Sequence, residues 1–135
     1  MRGSDVGPPE MICAQAAFWV GLLYDSAALD QAWLHVKDWS AADRQALRDA
    51  VPRLALQAEI RGRNVRDVAR EVVALAKSGL RRRSRRDAQG RDETRFLTPL
   101  EEIVDSGETQ ADRLIARFKG EWKGDVSRAF DEMRY

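Results

Sequence analysis

The sequence predicts a mainly α-helical protein. Residues that commonly cap helices stand before apolar residues spaced three and four apart, connections are short, and no window alternates like a half-buried strand. With 135 residues the chain is long enough for one domain with its own core. We expect a single helical unit over 1–135: a turn at 1–9, a helical core at 10–80, a mobile Arg-rich loop at 81–96 and C-terminal helices at 97–135.

The first helix is predicted at residues 11–24, where Gln15 is the only strongly polar side chain. A helix that is apolar on every face must be covered on every side to be stable in water, whereas chain ends are usually polar and frayed. We therefore expect this helix to lie in a large core or to pack against a segment that precedes it in a longer protein. A targeting signal is less favoured, because fourteen residues are too few to span a bilayer.

Two capped helices are predicted next. Asp25 or Ser26 caps the second helix, which ends near position 39. Ser40 and Asp43 have capping-box spacing and begin the third helix, which Pro52 closes. Both helices are expected to bury an apolar stripe, formed by Leu29, Trp33 and Val36 in the second and by Leu47, Ala50 and Val51 in the third.

The longest helix is predicted to start at Asn64, after a loop or short extended piece at residues 53–63. Its apolar residues recur at helical spacing, which predicts one inner face opposite a charged one. The predicted inner face consists of Val65, Val68, Val72, Leu75, Ala76 and Leu80.

Arginines are concentrated after this helix, at residues 81–86. A nucleic-acid surface is one interpretation of such a cluster, since guanidinium groups contact phosphates. A solvated loop is favoured, because no aromatic residues are interleaved and the acidic Asp87, Asp92 and Glu93 follow at once. We therefore predict a mobile loop and no nucleic-acid partner.

The C-terminal part is predicted to form further helices. Thr98 caps a helix with Pro99 at its first position and Gly107 at its end. Thr109 and Asp112 open the next helix. Apolar residues at helical spacing predict that this helix and the tail are buried through Leu114, Ile115, Phe118, Trp122, Val126, Phe130, Met133 and Tyr135.

The nearly neutral composition argues against a partner that binds through the net charge of the protein. Lys and Arg number 23 and Asp and Glu 22, so the net charge of +1 produces no strong field toward nucleic acid or a membrane surface. The single cysteine, Cys13, cannot form an internal disulfide, which favours a reducing compartment or a partner thiol. We expect a cytoplasmic protein without a membrane partner.

Few residues could carry chemistry. His35 is the only histidine, and no CxxC, GxSxG or phosphate-loop motif is present, which argues against a hydrolase triad and a structural zinc site. The segment Arg-Gly-Ser-Asp at residues 2–5 is the remaining candidate. The guanidinium of Arg2 presents a rigid fork of donors to phosphate or carboxylate, and Gly3 lets the backbone approach a ligand closely.

Three long segments carry ordered motifs. They are MRGSDVGPPEMICAQAAFWVGLLYD at residues 1–25, FLTPLEEIVDSGETQADRL at 96–114 and FKGEWKGDVSRAFDEMRY at 118–135, and an Asp-Trp pair with spaced arginines and Val-Pro lies at 38–52. Together they resemble the C-terminal third of the plant and proteobacterial type of glutamate–cysteine ligase. The resemblance spans nearly the whole chain.

The resemblance implies an ATP- and magnesium-dependent ligase of the first step of glutathione synthesis. The γ-carboxylate of L-glutamate is phosphorylated, and the amine of L-cysteine attacks the acyl phosphate. In that family a Glu-x-Arg motif supplies a Glu that helps hold magnesium and an Arg that faces the reacting phosphate or carboxylate. Arg2 matches this Arg, with Gly3 and Asp5 shaping the turn that aims it, so residues 1–9 are expected to form an active-site turn.

The family fold is an α+β, glutamine-synthetase-like carboxylate–amine ligase fold, and its antiparallel sheet, metal carboxylates and most substrate contacts would lie upstream of this chain. We therefore expect a multi-helix C-terminal portion that is inactive alone, holds no metal ligand and binds neither ATP nor Mg²⁺ tightly. Cys13 stands where plant members carry a cysteine used in redox regulation. An ordinary buried thiol is the favoured interpretation of it.

Two hypotheses follow from this resemblance. In the first, the chain is a ligase portion that works with an upstream ligase half or as a homo-oligomer. In the second, it is a non-enzymatic helical module that kept the fold of the ligase tail and binds a protein through its exposed apolar helix.

Overall fold

The computed structural model describes residues 7–134, a part of the chain that is mainly helical. A short antiparallel hairpin, β1 (Glu59–Ile60) and β2 (Arg63–Asn64), forms the extended piece predicted before the longest helix. The mainly α prediction is confirmed. The helices in the described residues are α1 (Pro9–Leu23), α2 (Ser26–Val36), α3 (Ala41–Leu54), α4 (Val65–Arg83), α5 (Thr98–Ser106), α6 (Gln110–Lys119) and α7 (Ser127–Glu132).

Side chains cap four helices at the predicted residues. Asp25 caps α2 by accepting a hydrogen bond from the backbone N–H of Ala28 at 2.8 Å, and Asn64 caps α4. Each cap satisfies an N–H group that has no partner within the helix. Reciprocal capping boxes begin α3 and α6, formed by Ser40 with Asp43 and by Thr109 with Asp112.

The core lies where α1 crosses α4. A Cβ atom on Gly79 would stand 1.9 Å from the carbonyl oxygen of Gly21, and one on Gly21 would stand 2.2 Å from the carbonyl oxygen of Ala76. Residues without side chains are therefore required for the two backbones to come this close. The buried cluster beside the crossing consists of Ala17, Leu22, Ala76, Leu80 and Leu97.

The first two helices do not form one continuous rod. No single helix in residues 7–134 is long and apolar enough to cross a membrane. Taken together, α1 and α2 reach the required length and composition, but a 93° bend separates them.

The α2 helix packs through a small residue and leaves its large ones outside. Ala28 is fully buried, whereas Leu29, Trp33 and Val36 are 43%, 62% and 38% exposed. The prediction that these three residues form the inner face is therefore wrong. The Cβ of Ala28 would lie 3.3 Å from a Cβ on Gly79, so α2 approaches α4 at a place too narrow for a large side chain.

The α3 helix lies at the edge of the described fold. It continues two residues past Pro52, which was predicted to close it, and ends before Ala55, whose φ of 46° breaks the helix. Its predicted stripe is only partly covered, because Leu47 and Ala50 are half-buried while Val51 is 39% exposed. The expected burial of Val51 is wrong.

The Arg-rich segment at residues 81–96 is not a single loop. Its first three residues complete α4, Arg86 and Asp92 form an antiparallel bridge, and a 3₁₀ turn occupies Glu93–Leu97. Within it, Asp87 accepts hydrogen bonds from Arg91. The mobility of this segment stays a prediction.

The C-terminal helices are less buried than predicted. Trp122 is 6% exposed, with the guanidinium of Arg117 5.1 Å from its ring centroid. The burial predicted for the neighbouring large residues is wrong, because no element among residues 7–134 covers the face on which they lie. These exposed residues are Ile115, Phe118, Val126, Phe130 and Met133, whereas Tyr135 lies outside the described residues.

One ion pair ties the start of α2 to the end of α4. Arg82 donates from Nε and Nη2 to the two carboxylate oxygens of Asp25 at 2.8 and 2.6 Å. This hydrogen bonding, together with the N–H of Ala28, lowers the pKa of Asp25 from 3.8 to about 2. A carboxyl with a depressed folded-state pKa contributes stability above its unfolded pKa, and that contribution is lost as the pH falls through the folded-state pKa.

The variant Asp25→Asn is therefore expected to change how stability depends on pH. Asparagine keeps a cap acceptor but removes the charge that pairs with Arg82. Above a pH of about 4 the parent should be more stable by a constant amount, and this advantage should shrink between pH 4 and about 2. Urea unfolding at a series of pH values measures the difference in unfolding free energy between parent and variant. Asp30→Asn on the same helix is the control. A stability advantage of the parent that stays constant down to pH 2 would contradict the lowered pKa of Asp25.

Candidate functional site

The predicted catalytic turn lies just before the described residues. Arg2, Gly3 and Asp5 are outside the part of the chain that the structure describes, so their roles stay predictions. The described chain starts with a buried residue, Gly7, and enters α1 through Pro8, whose φ of −59° and ψ of 156° are extended. A helix that is packed into the core thus follows residues 1–6 closely along the chain.

A small cavity of about 250 Å³ lies beside the start of α1. Helix N-termini carry partial positive charge, but Glu10 and Glu102 place two carboxylates in the lining. Among the described residues of the lining the one cation is Arg113, which donates from Nε to Glu108 at 3.1 Å. These described residues therefore offer no unopposed positive charge to an anion.

Residues 7–134 contain no group of three or more His, Cys, Asp or Glu side chains placed to hold a metal ion. Mg²⁺ prefers several oxygen ligands in octahedral geometry. The described residues therefore do not fit a magnesium site of their own.

Cys13 is exposed on α1. The expectation of a buried thiol is wrong, because α1 faces the core with Ala14, Ala17 and Gly21, while its other side, which includes Ile12 at 54% exposure, is open. A redox role for Cys13 stays a prediction.

A second, polar cavity of about 480 Å³ lies between α2 and the hairpin, at a place that the sequence did not single out. Its lining includes His35 and Arg63, which both approach Glu71: the carboxylate lies 3.5 Å from the His35 Nδ1 and 2.7 Å from the Arg63 Nη2. The hydrogen bond from Arg63 lowers the pKa of Glu71. Since the charges of Arg63 and Glu71 already neutralise each other, the arrangement is explained by packing of the hairpin onto α4.

A further cavity lined by residues of the described part of the chain is apolar. It has a volume of about 620 Å³ and lies between α1, α4 and α5. We call it the apolar groove; its lining includes Met11, Ile12, Val65, Val68, Ala69 and Ile103. The spacing of the α4 valines predicts that they share the inner face of the helix, but it does not predict the open space that they border.

Comparison with known proteins decides the family. The model of the family described as glutamate-cysteine ligase family 2 matches residues 1–132. The chain belongs to this family. The family predicted from the sequence motifs is therefore confirmed, and the matched region includes the predicted catalytic turn.

Relatives of this glutamate–cysteine ligase family chain are plant enzymes. The chloroplastic glutamate–cysteine ligases of Nicotiana tabacum and Arabidopsis thaliana are each 41% identical to it over 135 residues, which cover 100% of this chain and 25% of each relative. The chloroplastic glutamate–cysteine ligase A of Oryza sativa subsp. indica is 39% identical, with 26% of its length covered. The chain spans about a quarter of the length of these relatives.

The relatives also correct the predicted location. All three are named as chloroplastic enzymes, which contradicts the cytoplasmic location expected for this chain. The expectation rested on a single cysteine, and that observation indicates only the absence of an internal disulfide. It does not distinguish the cytoplasm from an organelle.

Proposed function

We propose that this chain is the helical C-terminal part of an ATP-dependent glutamate–cysteine ligase. The observation that carries the proposal is the family match over residues 1–132, together with 41% identity to plant glutamate–cysteine ligases over the whole chain. In the proposed reaction, ATP phosphorylates the γ-carboxylate of L-glutamate. The amine of L-cysteine then attacks the acyl phosphate, loses a proton and displaces phosphate.

In this proposal Arg2 is the catalytic residue of the chain. Phosphoryl and acyl-phosphate chemistry is accelerated mainly by cations placed around the developing negative charge. Gly3 and Asp5 shape the turn that aims the guanidinium. The proposal is supported by the stiff connection that follows, since the extended Pro8 leads into a helix held by the α1–α4 crossing. Reactive groups are positioned best when a rigid element supports them.

ATP and Mg²⁺ belong to the complete enzyme in this proposal. When bound, they supply the phosphoryl group and neutralise its charge. Because residues 7–134 offer no cluster of metal ligands, we expect neither to bind tightly to this chain alone. The metal ligands and most contacts to both amino-acid substrates would come from the portion of the enzyme that this chain does not contain.

A chimera tests the proposed function. This chain replaces the matching quarter of the tobacco enzyme, and phosphate release is measured with and without ATP, L-glutamate and L-cysteine. We expect release only when all three are present, as for the tobacco enzyme itself, and no release from this chain alone. A folded but inactive chimera would contradict the proposal and favour a non-enzymatic helical interaction module.

A further inference from the structure

The apolar groove differs from the other cavities of the described residues in having no charged side chain in its lining. Apart from Gln15 and Gln110, every lining residue is apolar or glycine. Val73 and Val104 at the bottom of the groove are buried, with 6% of each exposed, whereas Ile12 on the rim is 54% exposed. Among residues 7–134 this continuous apolar surface is left without full cover, which is unfavourable for a finished protein surface.

The apolar side of α4 is fully covered over only part of its length. Ala76 and Leu80 are buried in the α1–α4 core, whereas Val65, Val68 and Val72, on the same side of the helix, are half-buried along the groove. The apolar side of a helix requires cover along its whole length. Residues 7–134 supply no element that covers the half-buried part.

The walls of the groove are held in place. Arg66 donates from Nε to the carbonyl oxygen of Val104 at 2.7 Å, and Arg70 donates from Nη2 to the same oxygen at 3.1 Å. These bonds fasten the end of α5 to the start of α4. The groove is therefore a preformed cleft, and preformed clefts bind at a lower entropic cost.

We propose that the apolar groove is the docking site for an uncharged, apolar segment of the glutamate–cysteine ligase portion that this chain lacks. This inference rests on the proposed function and names the surface at which the two portions meet. About three quarters of the length of the relatives lies outside the match, so a large part of the family enzyme is available to cover the groove. An apolar segment suits it because a charged side chain would lose its hydration there without meeting an opposite charge in the described lining.

A second copy of this chain fits the groove less well. In a two-fold symmetric dimer the same patch of each copy faces its counterpart. Two concave clefts that face each other leave the space between them empty, and close packing is what makes apolar contacts favourable. The occupant is therefore a convex apolar segment such as one face of an amphipathic helix, which binds grooves through side chains three and four residues apart.

The test uses two matched substitutions on α4. Ala69 lines the groove and Ala74 is exposed elsewhere on the same helix. Ala69→Leu fills part of the groove without adding charge, and Ala74→Leu adds the same side chain outside it. Each full-length variant is tagged and co-expressed with the tobacco enzyme from which the matching quarter has been removed, and the co-purified portion is quantified. Circular dichroism confirms that both variants are folded.

We expect the parent and Ala74→Leu to recover similar amounts of the tobacco portion. Ala69→Leu should recover about one tenth of the parent's amount or less. Equal recovery by all three, equal loss in both variants, or no recovery by the parent overturns the inference. A dimer of this chain alone that Ala69→Leu abolishes also overturns it, since the occupant would then be a second copy. If the two portions are recovered together but show no ligase activity, docking at the groove is supported and the proposed function is contradicted. If the chimera is active and Ala69→Leu does not change its activity, the proposed function is supported and docking at the groove is contradicted.

Discussion

Replacing Gly79 with alanine is expected to abolish the folded state. The new Cβ would lie 1.9 Å from the carbonyl oxygen of Gly21 and 2.9 Å from its carbonyl carbon. Both are backbone atoms of α1, so no side-chain rotation relieves the clash, and the two helices must move apart. Overpacking a core costs about 3 kcal/mol or more in severe cases, which is a large part of the stability of a small domain. Gly21→Ala should act in the same way.

Urea unfolding followed by circular dichroism measures this effect. Gly90→Ala is the matched control, because its Cβ would meet nothing within 4 Å and only the φ of 76° opposes the substitution. That backbone strain costs about 1–2 kcal/mol. We expect a shifted but cooperative transition for Gly90→Ala and no cooperative transition for Gly79→Ala. A parent-like midpoint for Gly79→Ala would show that α1 and α4 do not cross as closely as described.

Replacing Arg2 with lysine is expected to lower kcat of the ligase chimera by about 100-fold or more. Removing one group that stabilises developing negative charge typically costs about 10²–10³ in kcat. Lysine keeps the charge but offers a single ammonium group in place of a planar fork, so it does not restore two-point contact with a phosphate or carboxylate.

Steady-state phosphate release by the purified chimera provides the measurement. Arg128→Lys, at an exposed position of α7, is the control and should leave kcat unchanged. The unfolding midpoint of each variant shows whether a loss of activity reflects a loss of structure. If Arg2→Lys retains the kcat of the parent chimera, Arg2 does not face the reacting group.

Local signals explain why the starts of α2, α3, α4 and α6 were predicted well. The predicted cap of α5 is wrong, because Thr98 is the first residue of that helix and Leu97 precedes it without a side-chain cap. A cap needs one side chain within three residues of the N–H group that it satisfies, as in the pairs Ser40–Asp43 and Thr109–Asp112. The end of α5 at Gly107, with a φ of 76°, follows from the same kind of local requirement. These features are readable from short windows of sequence.

The buried faces were predicted less well, because burial depends on elements far apart in the chain. Trp33 and Phe130 are large and apolar, yet they are 62% and 75% exposed. Ala28, which a hydrophobicity pattern ranks below them, is fully buried because α2 meets α4 beside Gly79. Hydrophobic periodicity predicts which residues share a helix face, but it does not predict which face packs against another element.

Some features of the candidate site could be predicted from the sequence, and others required the tertiary structure. The role proposed for Arg2 comes from a family motif that is visible in the sequence, and the family itself is confirmed over residues 1–132. The exposure of Cys13 and the apolar groove between α1, α4 and α5 could not be predicted. They depend on how α1 is rotated against α4.

The sequence by itself determined the helical class, the starts of α2, α3, α4 and α6 and the ligase family, because caps, turn residues and family motifs act over short stretches of chain. The tertiary structure alone decided that α1 and α4 touch backbone to backbone at Gly21 and Gly79, and therefore which sides of the helices are covered. The physical reason is that close packing depends on the shapes of two surfaces at once. A single stretch of sequence describes only one of them.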